Sequence, residues 1–198
     1  MKTFFSSLGV LLAFSGSAYA HGMEDGGARK ILGMEAEHWH LLTNHIPIFV
    51  ILSGLIALGL AFLWRNDIAK RVALFLIVIG ASGGLATYWF GQQAYKPMRG
   101  MADEPGQDWL DLHMERAEQT VWLLWLTLFS AGWALLALWK RHRFAPVLTV
   151  GTGIVGAVML GVCAWIADAG GKIRHPEIRG TAPTLPSEGT VEGQKHEH

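Results

Sequence analysis

Four stretches of this chain, residues 46–64, 72–90, 120–139 and 145–167, are apolar throughout and free of Asp, Glu, Lys and Arg. A helix needs about 20 such residues to cross the hydrocarbon layer of a bilayer, so each run predicts a membrane span. The polar breaks between them have unequal lengths. Residues 65–71 and 140–144 make short connections, whereas residues 91–119 make a long one. Short connections place consecutive spans antiparallel and side by side, which predicts an all-α membrane protein with four helices in an up-and-down bundle.

An amphipathic pattern extends the third span toward the N-terminus. From Asp108 the segment Trp109-Leu110-Asp111-Leu112-His113-Met114-Glu115-Arg116 is in helical register with the apolar run, and Pro105 stands just before it. His113, Ala117, Thr120, Leu124, Thr127 and Ala131 recur every three or four residues and share one face, a small and polar stripe suited to the bundle interior. Glycines cluster as Gly80, Gly83 and Gly84 in the second span, and small residues recur as Gly153, Ala157 and Gly161 in the fourth. In lipid such positions let helix backbones approach.

The first 20 residues follow another pattern: Lys2, a short apolar stretch from Phe4 to Phe14, then Ala18-Tyr19-Ala20. This is the form of a cleaved signal peptide, which gives a mature chain starting at His21 on the exported side. The four-helix domain then runs over 21–178 and a Gly-, Pro-, Thr- and Glu-rich tail over 179–198, expected to be disordered. With the N-terminus outside, the two short loops fall inside. They carry Arg65, Lys70 and Arg71, then Lys140, Arg141 and Arg143, as the positive-inside rule requires. Trp64, Trp89, Trp109, Trp122, Trp139 and Trp165 fall at or near the span ends, where aromatic belts form. The expected location is a bacterial inner membrane, with both termini periplasmic.

Composition narrows the function. Charged residues make up 16% of the 198 residues and the net charge is zero, so nothing points toward nucleic acid, and the lipid bilayer is the first partner. The single cysteine, Cys163, excludes an intramolecular disulfide, a multi-thiolate zinc site and covalent haem attachment, and its apolar helix reads as core packing. The spans contain no ionisable Asp, Glu, Lys, Arg or His, which argues against a proton or ion pathway. Ser53, Ser82 and Ser130 have no acid and base beside them, which argues against a hydrolase.

Histidines carry the candidate chemistry. His38, His40 and His45 precede the first span, His113 lies in the extension of the third, and His175 follows the fourth, so all five share the expected outer face. His142 falls among the basic residues of an inner loop. Neutral imidazole is the commonest protein metal ligand, and two imidazoles from different helices can hold a b-type haem as axial ligands. His45 and His113 are the first choice, because Pro47 in the opening turn of the span would fix the height of the preceding imidazole; His40 and His175 are alternates. Arg116, Arg174 and Lys172 are candidate propionate partners, and Glu115 or Asp111 could orient an imidazole through its other nitrogen. Such a protein would pass electrons to or from a membrane or periplasmic partner, and would be a binding or electron-transfer protein more than a stand-alone enzyme.

Two other readings stay open. A copper-handling protein could use His21 with its free amine, His38, His40, His45 and His113, the segment Lys195-His196-Glu197-His198, and Met23, Met34 and Met114. A structural subunit would need none of these.

The segment His40-Leu41-Leu42-Thr43-Asn44-His45-Ile46-Pro47-Ile48 resembles the His-Pro-x-x-Val-His-Phe-Pro-Ile signature of a bacterial family of four-helix membrane proteins classed as a domain of unknown function. The two histidines keep the five-residue spacing, and His113 and Gly170-Gly171 match a later histidine and a Gly-Gly segment. Leu41 and Ile46 depart from the Pro and Phe usual there. The resemblance covers the chain from about His40 to Glu177; it implies the fold and an outer histidine cluster, and no activity.

Overall fold

The computed structural model describes residues 30–181, and among these the chain forms five α-helices and one 3-10 turn. In chain order they are α1 (Ala36–Thr43), α2 (Ile46–Leu63), α3 (Asp67–Met101), α4 (Glu104–Trp139) and α5 (Ala145–Arg174), with the 3-10 turn at Pro176–Ile178. The expected signal peptide and most of the expected tail lie outside the described residues.

Pro47 explains why the first span is two helices. It has no N–H to give the Thr43 carbonyl one turn back, so the helix breaks at Asn44 and His45. Both residues keep right-handed helical angles, so α1 and α2 form one run of 28 residues, Ala36–Leu63, with a joint in it. The Thr43 carbonyl finds another donor: the Thr87 hydroxyl of α3 lies 2.9 Å from it and 2.9 Å from the Gly83 carbonyl.

The apolar runs become four crossings: α1–α2, α3, α4 and α5 are each long and apolar enough to span a bilayer. Each packs against its neighbours in sequence, and α5 returns to α2, which closes the up-and-down bundle. Large apolar side chains such as Phe49, Phe75, Trp133 and Ile154 are more than half exposed on its outside. That surface suits lipid and not water, so the chain is a multi-pass membrane protein.

The connection expected over residues 91–119 is instead helical almost throughout. α3 continues to Met101 and α4 starts at Glu104, behind the N-cap residue Asp103 and with Pro105 in its first turn. At 1.5 Å per residue, helices of 35 and 36 residues are roughly 50 Å long, well beyond a bilayer core of about 30 Å. Polar rungs hold the projecting ends together. Gln92 donates to Glu118 (3.0 Å), the Tyr95 hydroxyl to Asp111 (2.6 Å), and Arg99 to Asp111 (2.9 Å) and Gln107 (2.8 Å). Outside the bilayer, cross-helix hydrogen bonding supports the helix where hydropathy does not.

At the opposite end both turns are built alike. Arg65 and Arg141 adopt left-handed φ of 51° and 50°, and the next residue's N–H reaches back in each case, Asn66 to Ala61 (3.0 Å) and His142 to Ala137 (2.8 Å). The chain is thus two helical hairpins of the same sense.

The interior is layered. Leu58, Leu74, Ile77, Ala134 and Leu138 fill the end near the turns; Ile51, Leu123, Leu124, Met159 and Cys163 fill the middle. Trp109, Leu110, Ala169 and Ile173 close the far end. Trp109 is therefore a core residue, 6% exposed, where a belt position was expected; the other five belt tryptophans are 46% exposed or more. Cys163 packs in the core as expected.

The glycines divide by what they touch. A Cβ on Gly80 would lie 2.9 Å from the Ile51 nitrogen and one on Gly54 3.1 Å from the Ala73 carbonyl, so α2 and α3 meet backbone to backbone. In the spanning part of α5 the tight position is Gly156, against Leu55; Gly161 has nothing within 4 Å and Gly153 only Leu58 at 3.5 Å. The small stripe at residues 153, 157 and 161 is not the contact line it was expected to be. Gly80→Val should cost about 1–3 kcal/mol in thermal unfolding followed by tryptophan fluorescence, because backbone cannot move aside. Gly132→Ala, which meets open space, should be neutral or stabilise by about 0.5–1 kcal/mol.

Candidate functional site

At the end of the bundle away from the two turns, two histidine rings face each other. His40 comes from α1 and His113 from α4, helices on opposite corners of the bundle, and their ring centres are 6.3 Å apart with planes at 87°. Both residues are partly buried.

Each ring is held by the other arm of its own helical hairpin. His40 Nδ1 lies 3.0 Å from the Thr87 carbonyl on α3, and His113 Nδ1 lies 2.9 Å from the Ile166 carbonyl on α5. A carbonyl can only accept, so in both rings Nδ1 carries the proton and donates it. The neutral ring's remaining lone pair then sits on Nε2. One turn beyond each carbonyl stands a glycine. A Cβ on Gly91 would lie 3.0 Å from the His40 ring, and one on Gly170 would lie 3.0 Å from the His113 ring. Carbonyl, four residues, glycine: the two hairpins repeat this cradle, and only the missing Cβ lets each imidazole lie against the neighbouring backbone.

The other expected ligands are elsewhere. His45 is exposed, with Nδ1 on the Asn44 side-chain oxygen and its ring stacked on Phe49, so the pair expected from His45 and His113 is formed by His40 and His113 instead. Helical spacing accounts for this: Asn44 and His45 keep right-handed helical angles, and at about 100° per residue His45 lies well round the helix from His40. His38 is exposed. His175 is exposed at the end of α5 and pairs with Glu177 (2.9 Å). His142 lies at the opposite end, its Nδ1 accepting from the Phe144 N–H (3.3 Å). His21, His196 and His198 lie outside the described residues. Among the described residues no group of three or more His, Cys, Asp or Glu side chains is placed to hold a metal ion.

The orienting groups are main-chain carbonyls, whereas carboxylates were expected. Glu115 accepts from Gln119, and Asp111 is taken by Tyr95 and Arg99. Of the expected anion partners, Arg174 is exposed and reaches only the Met101 carbonyl (3.5 Å), and Lys172 pairs with Asp168 (2.8 Å) above the Trp109 ring. Arg116 is better placed. Its guanidinium lies over Trp165, donates to the Trp165 carbonyl (2.6 Å), reaches Asp168 only at 3.8 Å, and keeps a buried Nε that has no acceptor among the described residues. Trp109 Nε1 and Glu37 Oε2 are also buried without partners among the described residues. Glu37 precedes His40 by three residues, Trp109 precedes His113 by four and Arg116 follows it by three, so these three orphan atoms belong to residues one helical turn from a paired histidine.

The same end is tied shut by Arg179. Its guanidinium holds both Asp103 oxygens and donates to the Lys172 and Ile173 carbonyls (2.7 Å each), which joins the α3–α4 corner to the end of α5. Gly106 leaves the room: a Cβ there would lie 2.8 Å from the Ile173 carbonyl.

No protein-family model, no curated protein and no solved structure matches this chain.

The clasp has a pH sign. The hydrogen bond from Arg179 holds the Asp103 carboxyl below the ordinary carboxylate range. A lowered acid pKa gives stability that is present above the ordinary value, about 4, and lost as pH falls through the lowered one. At neutral pH, then, the clasp is fully formed. Trypsin should cut after Arg179 severalfold faster in Asp103→Asn than in the wild type, and equal rates would show that the clasp does not protect that bond.

Proposed function

We propose that the chain is a membrane cytochrome that binds one b-type haem between His40 and His113 and passes single electrons to a membrane or periplasmic partner. The observation that carries this reading is the distance between the rings. Two imidazoles that share one metal through Nε2, with metal–nitrogen bonds of about 2 Å, keep their ring centres about 6 Å apart; these are 6.3 Å apart. The carbonyl bonds at Nδ1 add to it, since they fix the tautomer and leave Nε2 on both rings as the ligand atom.

Two protein donors suit a macrocycle. A porphyrin supplies four nitrogens to its iron, so the pair needs no third side chain, whereas a bare copper(II) ion would draw on more donors than these two. Were His40 and His113 both to hold the iron of such a group, no protein-free position would be left for substrate, which favours electron transfer over catalysis. The Arg116 Nε and Trp109 Nε1 are the donors we assign to the propionates, with Lys172 beside them; they are buried, and a carboxylate would meet their unsatisfied hydrogen-bonding capacity.

In this reading the histidine end faces the periplasm of a bacterial inner membrane, residues 1–20 are removed on export, and the basic turns at the other end face the cytoplasm. The family resemblance at His40–Ile48 agrees with such a histidine cluster and assigns no activity.

Purified from cells supplied with haem, the protein should show a Soret band and close to one haem per chain. His40→Ala and His113→Ala should each reduce haem content at least tenfold, while His45→Ala, His142→Ala and His175→Ala should retain it. Gly170→Leu, which drives a side chain into the His113 ring, should weaken haem retention without replacing a ligand. A protein without a Soret band that holds stoichiometric copper would replace this reading with the copper one.

A further inference from the structure

At the end of the bundle opposite the histidines, a cavity of about 620 Å³ opens between the α2–α3 turn and the α4–α5 turn. Lys70, Arg71, Arg141 and His142 line it, with Phe62 and Pro146 among its apolar walls. Three permanent cations therefore face one carboxylate, Asp67, and that carboxylate is already taken by Lys70 (2.9 Å). Arg71 is the key group. Its Nη2 donates to the Leu138 carbonyl (3.3 Å), while its Nε is buried and has no acceptor among the described residues. A buried guanidinium N–H without an acceptor is costly, and the cavity it lines is where an acceptor can enter.

The position narrows the ligand. The cavity lies at the helix ends of a membrane bundle, so its mouth is at headgroup depth, and its lining combines a cationic floor with apolar walls. Arginine's fork of donors fits the oxygens of a phosphate better than a single carbonyl does. We propose that this cavity binds a phosphate group, carried by an anionic phospholipid headgroup or by free phosphate, with Arg71 and Arg141 as its principal donors. The site is separate from the histidine pair and stands without the haem reading.

The test is thermal unfolding of the whole protein in an uncharged detergent, followed by tryptophan fluorescence, with phosphatidylglycerol, phosphatidylcholine or inorganic phosphate added. Phosphatidylglycerol should raise the midpoint by several degrees, phosphatidylcholine by far less. Arg71→Gln and Arg141→Gln should each lose most of that rise. Arg65→Gln with Arg143→Gln, which removes two charges at the same end but outside the cavity lining, should keep it. Arg141 is exposed and its replacement should not disturb folding, so that variant decides should Arg71→Gln fail to fold. Inorganic phosphate that reproduces the rise in the wild type alone identifies free phosphate as a sufficient ligand; phosphate that does not, beside phosphatidylglycerol that does, identifies the lipid. No rise with either, or an equal rise in Arg141→Gln, would overturn the proposal.

Discussion

Pro47 cannot donate a hydrogen bond, and much of the histidine end follows from that. The Thr43 carbonyl it leaves open is met by the Thr87 hydroxyl, which fixes the height of α1 against α3. Thr87 then offers its own carbonyl to His40 Nδ1, and one turn further Gly91 removes the side chain that would strike the ring. Within a bilayer, where water cannot satisfy a freed carbonyl, this chain of bonds has no solvent substitute. A helix break that would be a defect elsewhere here sets the position of an imidazole.

The second hairpin reaches the same end by a different route. α4 is unbroken, and His113 stands on its projecting part, yet it too meets a carbonyl on the following helix, Ile166, with a glycine one turn beyond. The turns at the far end repeat as well, in the left-handed Arg65 and Arg141. Two copies of one helix–turn–helix plan, facing each other, bring two imidazoles to the centre of the bundle from opposite corners. The polar rungs from Tyr95, Arg99 and Gln92 to α4 and the Arg179 clasp hold that end together beyond the apolar core. The apolar middle thus keeps the histidine pair at one end of the bundle apart from the basic cavity at the other.

The spans were legible because a charge-free apolar run of about 20 residues matches the thickness of a bilayer, and the stripe through His113, Leu124, Thr127 and Ala131 was legible from its period. The helical course of residues 91–119 was not, since what supports it is pairing of Tyr95, Arg99 and Asp111 across two helices, which hydropathy does not register. Choosing among the first three histidines was within reach. At about 100° per residue, His38 and His45 each point well away from His40, so one helix could turn only one of them inward. Pro47 favours His45 only if it anchors the residues before it, and its effect is to break the helix there. Gly91 and Gly170 carried a signal too, each in a helix where a glycine is costly, but without the carbonyl four residues earlier it had no meaning.

On the proposed reading His40 and His113 would hold one haem between them, with ring planes that cross at nearly a right angle. Electron paramagnetic resonance of the ferric, haem-loaded protein reads that angle. Two neutral imidazoles at 87° should give a strongly anisotropic low-spin signal, with its largest g-value well above that of parallel rings. A high-spin signal, or the ordinary rhombic low-spin signal of parallel imidazoles, would contradict the account.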